Sequence, residues 1–353
     1  MENFLNLKSA ELVKQFNEWE LPEYRITQIR QWIFARKTTE FEKMTNLPKN
    51  VRTLLAERFG TLLRSKEVSR IQSDDASKKL LLEWEDGEQI ECVLLQNDRH
   101  HRTACISTQI GCAMKCAFCA SGMDGFVRNL TRSEILEQLL RLNALLPDHE
   151  RLTHIVVMGI GEPLLNLDAL LSALDEATNA EGLNVSVRRV TISTVGIPAG
   201  IQKLAGSVIQ GNAQPRKQYK LAISLHAPND KLRSQIIPHN KHTGIAAILS
   251  AADDYFQKTG RRVTFEYTLI EGVNDRPEHV LQLADLLRGR TAIVNVIPLN
   301  PVPELKFCPP SDKAVKHFVE QLEHRGIQVK VRLRKGDKIS AACGQLRYRR
   351  NKK

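Results

Sequence analysis

Four of the seven cysteines lie within fifteen residues, in the stretch ACISTQIGCAMKCAFC. Cys112, Cys116 and Cys119 form a C-x-x-x-C-x-x-C pattern, and Cys105 precedes it. A structural zinc site normally takes four protein ligands, often as two separated pairs, and the sequence contains no second pair. Three thiolates suit a four-iron, four-sulfur (4Fe–4S) cluster in which one iron stays open to a further ligand. The spacing therefore favours an open iron–sulfur cluster, with zinc as the alternative.

The composition is typical of a globular protein in a reducing compartment. Of 353 residues, 42% are hydrophobic and 26% are charged, and no run of about 18 apolar residues could span a membrane. The first residues, MENFLNLKSAELVKQF, contain early acids and no apolar core, so we expect no signal peptide and a cytoplasmic location. In that setting an odd number of cysteines indicates metal or redox chemistry, not a disulfide framework.

The positive charge is concentrated near the C-terminus. The formal net charge is +11, and residues 328–353 contain ten Lys or Arg against one acid, Asp337. Residues 347–353 form a basic tail. Such a surface often binds a polyanion, although a solvated tail that keeps the protein soluble is an equal alternative. No interface signal is visible in the sequence, so we expect a monomer.

The pattern of elements predicts an α/β protein with two N-terminal additions. Residues 1–65 show helical spacing of apolar residues, and residues 66–98 predict a β-hairpin that turns at Asp86-Gly87. From about residue 100 onward, strand-like and helix-like segments alternate, which predicts a parallel sheet, either open or closed into a barrel. The candidate strands are TACISTQ, LTHIVVMG, RRVTISTV, YKLAISLH, RVTFEYTLI, TAIVNVIPL and IQVKVRL.

Polar or glycine-rich residues follow several of these strands. In parallel sheets and barrels, chemistry is located at the carboxyl ends of the strands. These ends carry GIGEP, the pair Ser193-Thr194, SLHAPND and Asn300. We expect them to surround one cofactor pocket, although ordinary loop chemistry explains any one of them taken alone.

Six blocks of sequence extend from Glu91 to Leu346: ECVLLQNDRHHRTACISTQIGCAMKCAFCASG, VVMGIGEPLLN, RRVTISTVGI, LAISLHAPND, EYTLIEGVND and AACGQL. Taken together and in this order, they resemble the RlmN/Cfr family of radical S-adenosylmethionine (SAM) RNA adenine methyltransferases. Within that family Pro163 is typical of the RlmN branch, which methylates carbon 2 of adenine, whereas the Cfr branch has alanine there and methylates carbon 8.

The resemblance implies a partial (β/α)6 radical SAM barrel over residues 99–346. It also implies an RNA-docking role for the helical residues 1–65, with residues 66–98 as a β-hairpin extension and 347–353 as the basic tail. Cys112, Cys116 and Cys119 would hold the 4Fe–4S cluster. The residues that would contact SAM are Gly161, Glu162, Ser193, Ser224, Leu225, His226 and Asn300.

The same resemblance implies a radical mechanism that uses two SAM molecules per turnover. Cys343 would first accept a methyl group, and a radical made from the second SAM would activate that methyl for addition to the base. Cys105 would then attack the sulfur of Cys343, forming a transient disulfide and releasing the methylated adenine. Glu91 would accept the proton from carbon 2. Carbon 2 is electron-poor and its hydrogen is not usefully acidic, so an ordinary displacement has no nucleophile to use.

The implied substrates are an adenine in the peptidyl transferase region of 23S rRNA and an adenine beside the tRNA anticodon. An electron donor such as flavodoxin or ferredoxin is also implied. Three alternatives remain: a Cfr-type carbon 8 methyltransferase, a non-catalytic iron–sulfur protein that binds RNA or senses redox state, and a zinc module. For Cys92 and Cys308 we expect the role of small buried hydrophobic residues.

Overall fold

The computed structural model of the chain describes residues 2–97, 100–207, 218–332 and 339–347. Most of the predicted basic tail, residues 348–353, lies outside the described residues, so the structure does not test its RNA contact.

Three helices form the N-terminal part of the chain, as the sequence predicts. They are α1 (Ser9–Glu18), α2 (Tyr24–Arg30), which continues as a π-helical turn (Gln31–Ala35), and α3 (Lys49–Phe59). Their apolar faces meet in a shared core, where the rings of Phe4 and Phe59 lie edge to face with centroids 5.3 Å apart. Such a contact stabilises the pair beyond the area that it buries.

An antiparallel extension follows, built from β1 (Lys66–Gln72), β2 (Lys78–Glu83) and β3 (Gln89–Gln96). Strands β2 and β3 are the predicted hairpin, and Gly87 supplies the positive φ of +81° that its tight turn requires. Strand β1 was not predicted. It lies at the sheet edge with most of its side chains exposed, so its sequence lacks the alternating apolar pattern of a half-buried strand.

All seven predicted strands are present in one sheet. They are β4 (Arg102–Cys105), β7 (His154–Val157), β8 (Val190–Thr194), β9 (Lys220–Ser224), β10 (Val263–Leu269), β11 (Ala292–Pro298) and β12 (Val329–Val331). Neighbouring strands among these seven run parallel, and β3 joins β4 antiparallel. Two short strands, β5 (Gln109–Gly111) and β6 (Phe126–Asn129), pair separately.

Helices follow each of the first six parallel strands. They are α4 (Arg132–Ala144), α5 (Leu167–Thr178), α6 (Pro198–Ser207), α7 (Asp230–Ile236), α8 (Asn240–Thr243), α9 (Ile245–Thr259), α10 (Pro277–Leu287) and α11 (Asp312–Glu323). Six strand–helix units and a closing short strand confirm the predicted partial (β/α)6 barrel. The sheet stays open, with β1 and β12 at its two edges. Within the described residues, no helix is sufficiently long and apolar to cross a membrane.

Buried ion pairs attach the N-terminal helices to the barrel. Arg30 of α2 lies 2.5 Å from the carboxylate of Glu176 on α5, and Arg132 of α4 lies 3.0 Å from the same carboxylate. Loss of one partner from such a buried pair leaves a charge uncompensated, which is strongly unfavourable. These contacts therefore fix the helical segment in one position beside the sheet.

Candidate active site

The loop that carries the three clustered cysteines is shaped by glycine and by backbone hydrogen bonds. Gly111, at the end of β5, has φ of +70°, and a Cβ there would lie only 1.9 Å from the carbonyl oxygen of Gly125. Only glycine permits β5 and β6 to approach this closely. Beyond it, the amide of Cys119 donates to the carbonyl of Cys116 at 3.1 Å, which closes a turn. This turn brings Cys112, Cys116 and Cys119 to one wall of a cavity.

An apolar cluster surrounds the three thiols. It consists of Met114, Phe118, Val195, Ala227, Ile236, Ile237, Ile270 and Leu299. Burial raises the pKa values of all three thiols, and that of Cys112 reaches about 12. At Cys112 and Cys116 the charges of the other loop thiols contribute to the rise. Three thiols held together in apolar surroundings favour bound metal, because a cation compensates the thiolate charges that burial otherwise disfavours.

The cavity has a volume of about 950 Å³, part of it open to solvent. Among the described residues, no three His, Cys, Asp or Glu side chains converge tightly enough to hold a single metal ion. A 4Fe–4S cluster takes its thiolates at separate corners, so its ligands need not converge on one point. Asn300 also lines this cavity, and its Oδ1 is buried without a hydrogen-bond partner. An unpaired acceptor in a cavity that also holds three thiols suits a bound cofactor that brings its own donor.

Most of the strand-end residues predicted to contact SAM line this same cavity. They are Gly161, Glu162, Ser193, Ser224, His226 and Asn300. Leu225 differs, because its fully buried side chain packs in the main hydrophobic core. Only its backbone takes part in the region, where its carbonyl accepts a hydrogen bond from Nε of Arg233 at 3.0 Å.

Glu162 is held in place by backbone donors. Its two carboxylate oxygens accept hydrogen bonds from the amides of Leu164 at 3.1 Å and of Val195 at 2.8 Å. Burial raises the pKa of this carboxyl, and the hydrogen bonds oppose that rise by favouring the charged form. Gly161 beside it adopts φ of +105°, and a Cβ there would lie 2.6 Å from the side chain of Gln109. The loop therefore brings a fixed acid close to the cysteines.

His226 is a buried, neutral imidazole in a left-handed backbone conformation. Its φ is +56°, and its Nδ1 accepts a hydrogen bond from the amide of Thr268 at 2.8 Å. That acceptor role assigns the proton to Nε2. Its ring lies edge to face against Phe118 with centroids 4.9 Å apart. Burial, together with the charge of Arg233, lowers the pKa of His226 to about 3.

This depressed pKa predicts a specific acid sensitivity. Between pH 6.5 and 3 the unfolded chain binds a proton at His226 that the folded state excludes. The free energy of unfolding therefore decreases as the pH is lowered through that window. His226→Asn keeps an acceptor near Nδ1 and tolerates positive φ, but it does not titrate there. We expect this variant to lose about 3 kcal/mol less stability than the parent between pH 7 and 4, measured by urea unfolding. The exposed control His324→Asn should behave like the parent; equal pH dependence in both variants would contradict the prediction.

Cys343 reaches the cavity on a C-terminal segment, residues 339–347, which contacts the cysteine loop. The amide of Ala120 donates to the carbonyl of Gly344 at 2.8 Å, and the hydroxyl of Ser121 donates to the carbonyl of Leu346 at 2.7 Å. From the other side, Nδ2 of Asn300 donates to the carbonyl of Cys343 itself at 3.1 Å. These bonds hold the thiol beside the cysteines of the loop.

Cys105 lies at the end of β4, buried with Val93, Ile160 and Leu346, and close enough to Cys343 for their charges to interact. Burial, together with the charge of Cys343, raises the pKa of Cys105 to about 12. All seven cysteines are free thiols. The structure thus brings the two predicted catalytic cysteines together.

Glu91, on β3, is held by donors from two elements. Lys79 Nζ lies 2.8 Å from Oε1, and the amide of Arg347 donates to Oε2 at 2.9 Å. Lys79 also donates to the carbonyl of Ser340 at 3.1 Å. Glu91 therefore lies beneath the segment that carries Cys343, with both carboxylate oxygens engaged.

Comparison with known proteins agrees with this geometry. The profile of the ribosomal RNA large subunit methyltransferase N-terminal domain matches residues 2–60, and that of the Radical SAM superfamily matches residues 106–285. A probable dual-specificity RNA methyltransferase RlmN from Rhodopirellula baltica is 50% identical, over 99% of this chain and 91% of its own. The one from Thermosipho melanesiensis is 45% identical over 99% of both chains. The chain belongs to the RlmN family of radical SAM methyltransferases.

A solved structure has the same fold over most of the chain. The radical SAM methyltransferase from Sphaerobacter thermophilus superposes with a TM-score of 0.92 and 41% identity, over 98% of this chain and 99% of its own. Membership in the radical SAM superfamily implies a 4Fe–4S cluster and SAM, which agrees with the cysteine loop and with the unpaired acceptor of Asn300.

Two arginines at the site were not anticipated from the sequence. Arg233 of α7 is 1% exposed and donates to the carbonyls of Ser224 at 2.9 Å and of Leu225 at 3.0 Å, so it fixes the end of β9. Arg332, after β12, lines the cavity, and the charges of Cys343, Glu266 and Cys105 raise its pKa. Neither arginine belongs to a spacing motif, because only the fold brings each one to the site.

Arg332 should set the reactivity of the cysteine pair. Its charge counteracts the effect of burial on the pKa of Cys105, so Arg332→Gln should raise that pKa further. We expect the pH profile for alkylation of Cys105, mapped by peptide mass spectrometry, to shift to higher pH with about a threefold slower rate at neutral pH. The control Arg325→Gln removes an exposed guanidinium and should leave the profile unchanged. An unshifted profile in Arg332→Gln would exclude this electrostatic role.

The expectation for the other two cysteines was half correct. Cys92 is fully buried in the core, as predicted. Cys308 is exposed, so its predicted role as a buried hydrophobic residue is wrong. It lies in the loop between β11 and α11, where backbone contact with Glu271, and not side-chain burial, holds the chain.

Proposed function

We propose that the protein methylates carbon 2 of adenine in RNA through a methylated Cys343. The observation that carries this proposal is that the loop cysteines Cys112, Cys116 and Cys119 line the same cavity as Cys343, and that Cys105 is buried next to Cys343. The bound cluster and SAM supply the one-electron chemistry that an electron-poor ring carbon requires. The protein holds these groups and positions the methyl carrier.

Three groups of residues have distinct roles in this proposal. Cys112, Cys116 and Cys119 hold the cluster. The cavity-lining residues Gly161, Glu162, Ser193, Ser224, His226 and Asn300, with the backbone of Leu225, bind SAM. Cys343, as a thiolate, attacks the methyl group of SAM in an ordinary displacement, so its sulfur gains the methyl and SAM leaves as the neutral thioether.

Release of the product requires Cys105. Its thiolate attacks the sulfur of Cys343, so a sulfur–sulfur bond forms and the bond from Cys343 to the RNA-bound carbon breaks. The electron pair of that bond goes to the carbon, which takes a proton and becomes the methyl group. The proximity of the two cysteines and the charge of Arg332 support this step. A thiol reductant must then restore both thiols before the next turnover.

Glu91 is the proposed acceptor of the carbon 2 proton. Each of its carboxylate oxygens accepts from one donor, Oε1 from Lys79 and Oε2 from the amide of Arg347, which leaves lone pairs that can take a proton. These two donors hold the carboxylate in place beside the segment that carries Cys343.

The printed names of the relatives describe dual-specificity RNA methyltransferases, which supports RNA as the substrate. We propose 23S rRNA and tRNA adenines in non-helical regions, because extrusion of a base is least unfavourable there. An electron-transfer protein such as flavodoxin or ferredoxin would reduce the cluster. The basic composition, with a net charge of +11, is consistent with a phosphate-rich partner.

The proposal is tested by anaerobic reconstitution of the full chain with iron and sulfide, followed by incubation with SAM, a reductant and unmodified RNA. Fragments of 23S rRNA and transcripts of tRNA serve as parallel substrates. Digested nucleosides are compared by mass spectrometry with 2-methyladenosine and 8-methyladenosine standards. We expect 2-methyladenosine; the 8-methyl isomer would indicate Cfr-type chemistry, and absence of both would refute the proposal.

A further inference from the structure

The edge of the sheet opposite the cavity carries a cluster of cations. Arg189 directly precedes β8, Lys220 begins β9, and Arg261 lies two residues before β10. Because these strands are parallel, their amino ends lie at the same edge. Arg189 and Arg261 are close enough to Lys220 for their charges to lower its pKa. We name Arg189, Lys220 and Arg261 the basic edge.

Part of this cluster lacks the partners that a folded protein normally supplies. Nε and Nη2 of Arg261 are buried and have no hydrogen-bond partner. A buried donor left unpaired costs about 1–3 kcal/mol, and the mutual repulsion of like charges adds to this. An arrangement that lowers stability without a structural benefit is typical of a binding site. The missing partner would be an acceptor with negative charge.

Cations on the outer helices provide a contrast. Lys203, Lys258 and Lys316 each lie within 4.0 Å of a carboxylate, in pairs at 2.7, 2.8 and 3.8 Å. At the basic edge the charges that act on Lys220 are all positive. The positive charges of this edge also act on His154, the first residue of β7. Burial, followed by the charges of His101, Arg189 and Lys220, lowers the pKa of His154 to about 4.

A second cavity continues the positive surface along this edge. It has a volume of about 730 Å³ and is lined by Arg262, Arg288, Arg290 and Arg325, near the starts of β10 and β11. Arg288 and Arg290 pair with Asp285 and Asp253, so this cavity is less positive than the basic edge. Together the two features extend across the amino ends of most of the parallel strands.

We propose that the basic edge binds the phosphate backbone of the substrate RNA, away from the target adenine. This inference rests on the proposed RNA methyltransferase function. Neighbouring strands lie about 4.8 Å apart, so the three cations at the starts of β8, β9 and β10 spread over roughly 10 Å, which is more than one phosphate fills and suits successive phosphates along a strand. The edge is separated from the cavity by the strand length, about 15–20 Å at about 3.3 Å per residue. Only RNA with structure flanking the target reaches both places.

The test compares RNA binding by the full-length parent and two matched triple variants. The first combines Arg189→Gln, Lys220→Gln and Arg261→Gln; the control combines Lys203→Gln, Lys258→Gln and Lys316→Gln and removes the same charge. Affinity is measured by fluorescence anisotropy over a series of salt concentrations, with a target loop that carries flanking helices and with the loop alone. The single variant Lys220→Gln, at an exposed position, provides a second measurement that does not depend on the folding of the triple variant.

For the flanked RNA, the basic-edge variant should bind at least about tenfold more weakly and show a salt slope lower by about 2–3, whereas the control stays within about threefold. Lys220→Gln alone should lower the slope by about 0.7–0.9. The loop alone should bind all proteins similarly. The basic-edge variant should melt no lower than the parent, because repulsion is removed.

Equal binding of flanked RNA by the two triple variants would overturn the inference, and so would an equal loss for the loop alone. Methylation by the parent protein is measured in the same samples. If the parent methylates RNA but the basic-edge variant binds it like the control, this inference fails and the proposed function stands. If the parent binds RNA but forms no methyladenosine, the proposed function fails and the binding comparison remains valid.

Discussion

Cys343→Ala is expected to abolish methyl transfer to RNA, with product formation reduced at least about 10³-fold. The alanine side chain has no nucleophile to accept a methyl group, and no other thiol is held at that point of the cavity: Cys105 lies behind it, buried with Val93 and Ile160. The backbone bonds that fix the segment, from Ala120 to Gly344 and from Ser121 to Leu346, do not use the thiol. The fold and the cluster should therefore persist.

The measurement combines methyladenosine yield with iron content and SAM cleavage in the same samples. Cys308→Ala is the matched control, because that thiol is exposed outside the cavity, and it should retain full activity. Cys105→Ala should behave differently from both, because methyl addition proceeds but release fails, which leaves RNA covalently attached to Cys343. Normal methyladenosine yield from Cys343→Ala would refute the proposed role of this cysteine.

Most of the fold could be predicted from local sequence patterns. Alternation of strands and helices from about residue 100 predicted every parallel strand, and Asp86-Gly87 predicted the hairpin turn. The same patterns did not reveal β1, because a mostly exposed edge strand such as Lys66–Gln72 buries too little apolar surface to show alternation. Its pairing depends on β2, which is a tertiary contact.

The site was predictable where its residues occur in motifs and unpredictable where the fold brings distant residues together. The cysteine loop and GIGEP could be recognised, since each is a short segment with fixed spacing. Arg332 and Arg233 could not, because each reaches the site from a different element and carries no local signal. Leu225 is the opposite case, because it lies in a recognisable motif but its side chain packs in the core. Only its backbone faces the site.

The second large effect is expected at the cluster loop, where Cys116→Ala should reduce bound iron from about four per chain to nearly none. With one thiolate removed, two remain in an apolar wall formed by residues such as Met114 and Phe118, which offer no replacement ligand. The cluster charge would then be poorly compensated in a buried setting, which disfavours binding. Iron and sulfide are measured after anaerobic reconstitution, together with the visible absorbance of the cluster.

Cys92→Ala provides a matched control for loss of a buried cysteine. Cys92 is as buried as the core around it but lies outside the cavity, so this variant should lose some stability and retain its iron. If Cys116→Ala also retains about four irons, the loop does not ligate the cluster. If the parent chain, purified without oxygen, contains one zinc and no iron, the zinc alternative replaces the cluster. Activity would then have no radical source, because SAM cleavage depends on the electron that an iron–sulfur cluster provides.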